Sequence, residues 1–97
     1  MNYTDAIGST PVVLVEFYAT WCPHCQRMMP VIEQIKELLE GKVDIYQLDI
    51  DQNSELADME SVNSTPTFII YKNGKSVWRE SGELDGQFLL SKIQSYM

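Results

Sequence analysis

The chain has 97 residues, 44% of them hydrophobic, and a net charge of -7, which makes one domain with a core able to cover a little over ~60% of the surface its unfolded form exposes and leaves no room for a second. The acidity is spread along the chain, so it excludes the basic stripe that nucleic-acid binding needs and serves instead to keep a small protein in solution. No apolar run approaches the roughly 18 residues needed to cross a bilayer, so no membrane partner is expected.

Met1-Asn2-Tyr3-Thr4-Asp5 has neither a basic n-region nor a long apolar stretch. The chain therefore reads as cytoplasmic, or as periplasmic or otherwise exported if a leader has been removed. Tyr3 to Thr10 offers little to assign. From Pro11, the run Val12-Val13-Leu14-Val15-Glu16-Phe17-Tyr18 is short, β-branched and nearly all apolar, the pattern of a central parallel strand buried on both faces.

Met28, Val31, Ile32, Ile35, Leu38 and Leu39 recur at helical spacing, and Gly41 stops the pattern. This predicts a helix over 23–40, with Pro23 in its first turn, where a missing N–H costs nothing, and Pro30 kinking its interior. The alternating segment 43–49 predicts a second strand, and Asp51-Gln52-Asn53-Ser54 caps a short helix ending near Glu60.

Thr67 to Tyr71 and Ser76 to Glu80 flank Lys72-Asn73-Gly74-Lys75, and Asn-Gly between strand-like runs is a strong hairpin signal. Asp85 caps a last helix with Leu84 and Leu89 as a hydrophobic staple and Phe88, Ile93 and Tyr96 on its apolar face. Trp78 and the pair Met28-Met29 read as packing residues. The order is β-α-β-α-β-β-α: an α/β fold with a mixed sheet and helices on both faces.

The chemistry lies in Trp21-Cys22-Pro23-His24-Cys25. Two cysteines cannot build a disulfide scaffold, and a closed zinc site wants four ligands where the chain offers two Cys and one His, so no metal is expected. A C-x-x-C at a strand-to-helix junction puts Cys22 at a helix N-terminus, where unpaired N–H groups favour its thiolate. Cys25 follows one turn inside, shielded but able to attack a mixed disulfide on Cys22.

These residues, with Val15 to Cys25 as one block, Pro30, Thr65-Pro66-Thr67 and Gly82 in matching order and spacing, resemble the thioredoxin family from about Pro11 to the C-terminus. The resemblance implies a three-layer fold around a sheet of about four strands, the family's first strand being absent. It also implies thiol-disulfide exchange with disulfide-containing protein substrates, without a cofactor, fed by a flavoprotein reductase or other dithiol donor. Pro66 is then a cis proline beside the active site, the Thr65 backbone pairs with an extended substrate, and Trp21, Pro23 and Gly82 complete the docking surface.

Glu16 falls at the family's buried carboxylate position, usually Asp, beneath Cys25. Among Val15, Phe17 and Ile69 its carboxyl should be raised by desolvation and relay the Cys25 proton; the alternative is a carboxylate that reaches solvent or a neighbouring amide. The strand 43–49 becomes a sheet edge. A monomer is expected, and a dimer through that edge is the alternative, one that a monomer at every concentration in sedimentation would remove.

Pro23-His24 replaces the Gly-Pro of reducing thioredoxins and matches the periplasmic dithiol oxidants. A protonated His24 near Cys22 would stabilise the thiolate and make the disulfide a stronger oxidant. A potential between the two groups is expected, with a reductase the leading reading for a cytoplasmic chain and an oxidase or isomerase for an exported one. A redox-idle binding module is the competing class.

Overall fold

The computed structural model describes residues 2–97; Met1, part of the opening read for a leader, lies outside them. The elements run α1 (Tyr3–Ala6), β1 (Val12–Tyr18), α2 (Pro23–Leu38), β2 (Asp44–Asp49), α3 (Ser54–Met59), β3 (Thr67–Lys72), β4 (Lys75–Ser81) and α4 (Gly86–Ser95). The seven expected elements are all present. The unexpected one is α1, four residues long and capped by Asn2, whose side chain accepts from the Asp5 N–H.

The sheet has the order β2-β1-β3-β4. β1 pairs parallel with β2 and antiparallel with β3, and β3 pairs antiparallel with β4. All of β1 but Tyr18 is buried, as its unbroken apolar run requires. Asn73 and Gly74, at φ 52° and 80°, form the two-residue turn that lets β3 fold back into β4.

Side chains alternate across the sheet, and the two faces carry separate cores. Val12, Leu14, Phe68 and Ile70 face α2 and α4 through Met28, Ile32, Ile35, Leu39, Leu89 and Ile93. Val13, Val15, Phe17, Ile69 and Tyr71 face the other way, toward Ala57 and Leu56 of α3 and Tyr3 of α1. Tyr3 holds α1 to the sheet: its hydroxyl meets that of Tyr71 at 2.6 Å, and Tyr71 in turn donates to Glu60. The result is three layers, with β2 at one edge.

Several details depart from expectation. α2 contains Pro30 as expected but ends at Leu38 rather than Glu40, and Leu38 and Met29 are exposed while Leu39 and Met28 are buried. Asn53 caps α3 without a side-chain bond to it, its amide donating instead to the Asp49 carbonyl. Phe88 is partly exposed and leans on half-buried Trp78, ring centroids 6.3 Å apart, whereas Asp85 caps α4 through the Phe88 N–H as expected. Gly86 sits where a Cβ would lie 2.9 Å from Val31 Cγ1, so its small size lets α4 start against α2.

Candidate active site

β1 delivers the chain to the end of the sheet, and Cys22, in extended conformation with Pro23 at the next position, starts α2. Cys22 accepts the first helical bond, from Gln26 N, at 3.0 Å. Its own Sγ lies 3.5 Å from the Thr65 carbonyl oxygen. The Thr65–Pro66 peptide is cis, and Gly82, at φ 102°, donates its N–H to the Pro66 carbonyl at 2.8 Å. The start of α2, the Thr65-Pro66 turn and the Gly82 bend therefore converge.

Beside Cys22 a groove of about 350 Å³ runs past Trp21, Ile50, Val62, Asn63 and Thr65. Trp21 is 64% exposed and is oriented by a 2.9 Å bond from its Nε1 to Asp51 Oδ2. A flat, half-fixed aromatic at the rim of a groove is suited to packing against an extended chain.

The two sulfurs differ. Burial opposes ionisation of Cys22, but hydrogen bonds from the side chains of Thr65 and Cys25 and from the backbone N–H groups of Cys25 and His24 outweigh it and bring the thiol down to about 7. Both residues are buried, Cys22 at 4% and Cys25 at 2% exposed, but only Cys22 borders the groove, and burial pushes the Cys25 thiol up to about 11. The rate of iodoacetamide alkylation at Cys22 is therefore expected to rise with pH around an inflection near 7, with Cys25 unmodified in the same samples. An inflection near the free-thiol value of ~8.5 would show that the N–H groups do not hold the thiolate.

Glu16 is 2% exposed. Its neighbours need correcting, since Val15, Phe17 and Ile69 belong to the opposite face of the sheet. Glu16 shares the α2 side, and with Tyr18, Cys25, Met29 and Gln47 it lines a cavity of about 50 Å³. Gln47, its register partner on β2, donates from Nε2 to Glu16 Oε1 at 3.0 Å. Burial pushes the Glu16 carboxyl up, against the pull of that bond and of the Lys36 charge.

The His24 imidazole lines the same groove as Cys22 and finds its polar partners in Glu83 and Arg27. Nδ1 lies 2.9 Å from Glu83 Oε1 and 2.9 Å from Arg27 Nη2, while Arg27 Nε donates to the same Glu83 oxygen at 2.9 Å. What His24 gives Cys22 is its backbone N–H. Sequence reasoning missed Glu83, Arg27, Gln47 and Asp51. Arg27 was the most accessible of them, three residues after His24 on one helix face.

A family model described as thioredoxin matches residues 1–95. The chain belongs to the thioredoxin family. It is 37% identical over 94 residues to a thioredoxin of Chlorobaculum thiosulfatiphilum, covering 97% of this chain and 87% of that one. It is 40% identical over 83 residues to the chloroplastic thioredoxin Y of Oryza sativa subsp. japonica, covering 86% of this chain and 49% of that protein, so it spans about half the length of this relative. Among solved structures, a thioredoxin variant from Halobacterium salinarum superposes with a TM-score of 0.88 at 33% identity, covering 96% of this chain and 80% of that one. This thioredoxin-family chain is a protein-disulfide oxidoreductase with a redox-active C-x-x-C pair. Among the described residues no helix is long and apolar enough to cross a membrane, and no cluster of His, Cys, Asp or Glu could hold a metal ion.

Proposed function

We propose that this oxidoreductase is a protein-disulfide reductase of a reducing compartment such as the cytoplasm. The observation that carries the reading is the asymmetry of two buried thiols, one lowered to about 7 at the wall of an open groove and the other, away from that groove, raised to about 11. The Cys22 thiolate attacks one sulfur of a substrate disulfide, forming a mixed disulfide and releasing the first substrate thiolate. Cys25 then gives up its proton, attacks Cys22 Sγ and releases the second substrate sulfur as a thiolate, leaving a Cys22–Cys25 disulfide.

Glu16 is the acceptor for the Cys25 proton, through water in the cavity they share, whose volume exceeds the ~10–15 Å³ that one water needs. Trp21, Pro23, the Thr65 backbone, Pro66 and Gly82 form the docking surface for an extended substrate segment. Two electrons return from a flavoprotein reductase or another dithiol donor. No bound cofactor takes part in these steps.

Equilibrating the pair against a glutathione series, read by Trp21 fluorescence, tests the reading. A potential near about -270 mV, the thioredoxin value, is the result expected of a reductase. A value toward about -120 mV would make the protein a disulfide donor or isomerase.

A further inference from the structure

The cluster of Glu83, His24 and Arg27 lies outside the steps just described, yet it joins the first turn of α2 to the bend that follows Gly82. His24 Nδ1 has two partners that it cannot serve together. As a bare nitrogen it accepts from Arg27 Nη2, and as an N–H it donates to Glu83 Oε1, each at 2.9 Å. Arg27 Nε binds the same Glu83 oxygen in either arrangement. With the ring neutral, Glu83 answers the guanidinium; with the ring protonated, Glu83 lies directly against the new charge. In both, the carboxylate counters positive charge that would otherwise act on the Cys22 thiolate.

We propose that Glu83, together with Arg27, clamps the His24 imidazole to the 82–85 bend and cancels its charge, so that Glu83 is a positioning residue setting how strongly the Cys22/Cys25 pair reduces. This deepens the reductase reading and depends on it only for the direction of flow in the cell. A histidine that promotes oxidising behaviour when it faces the sulfur is thereby made compatible with a reductant. The ion pairs are partly exposed, so they add little to fold stability. Their effect is on the balance between dithiol and disulfide.

The equilibrium in which oxidised glutathione takes two electrons from the dithiol, giving the Cys22–Cys25 disulfide and two reduced glutathiones, reads this directly. Glu83→Gln keeps the size of the side chain and removes its charge. Its equilibrium constant for oxidation of the dithiol is expected to fall about fivefold, ~20 mV toward the oxidising side, with the inflection for Cys22 alkylation moving to lower pH. His24→Ala, which removes the imidazole and keeps the backbone N–H that serves Cys22, is expected to change the constant little in the parent chain, and to reverse most of the shift in the Glu83→Gln chain.

An unchanged constant in Glu83→Gln would overturn the clamp. So would a shift that survives in full in the Glu83→Gln, His24→Ala double variant, because Glu83 would then act on the sulfur without the imidazole. A parent potential near the oxidants would defeat the reductase reading while leaving the Glu83 shift measurable, so the two failures are distinct.

Discussion

Replacing Cys22 by Ser is expected to reduce insulin-disulfide reduction to the background rate of the thiol reductant in the assay. A hydroxyl in that position stays protonated at neutral pH, so the N–H groups that stabilise a thiolate have no anion to hold. Serine still offers a donor to the Thr65 carbonyl, which accepts from Cys22 in the present structure, so the fold should melt near the parent temperature. Cys25→Ser should behave differently. It keeps the Cys22 nucleophile and loses the resolving step, so one equivalent of substrate accumulates as a mixed disulfide that dithiothreitol releases. Activity retained in Cys22→Ser would point to a binding module whose cysteines are idle.

The second large effect is at Glu16, where stability and catalysis should move in opposite directions. Burial raises the folded-state pKa of this carboxyl above its ordinary value of 4.5, so the folded chain binds the proton more tightly than the unfolded one. Stability therefore falls as pH rises from the unfolded value through the raised folded one, and the penalty is present in full above that window. Glu16→Gln removes the charge and keeps an oxygen for Gln47 Nε2.

This variant is expected to be more stable at neutral pH, with a flatter dependence of stability on pH, measured by urea unfolding. Its resolving step should slow by on the order of a hundredfold, the lower end of what general acid–base catalysis contributes. A stabilised variant with an unaltered rate would leave Glu16 as a buried charge with no part in proton transfer.

Much of the fold was legible because its signals are local. The unbroken apolar run of β1, the Asn73-Gly74 turn and the Asp85 cap each specify their own geometry. The Trp21 to Cys25 block with Thr65-Pro66-Thr67 carries the family's signature in the sequence itself. Side-chain direction was harder to read. Neighbours in a strand point to opposite faces, so proximity in sequence put Glu16 among Val15 and Phe17, when its surroundings come from the register with Gln47 and from α2 overhead.

Leu38 and Leu39 both fit helical spacing, yet only Leu39 faces the core; one residue turns the side chain by about 100° around the axis. Helix α1 is too short to show a period at all. The Glu83–His24 pair spans 59 positions, a separation at which only the folded chain brings the two together.

The edge strand β2 begins and ends with a carboxylate, Asp44 and Asp49. If a second copy paired with it antiparallel about the strand centre, Asp44 of each copy would lie across from Asp49 of the other, like charges opposed at both ends of the ladder. The open edge thus carries its own guard against aggregation. The net charge of -7 adds an overall repulsion between copies of the chain. Both repulsions are strongest at low ionic strength, because added salt screens the same carboxylates.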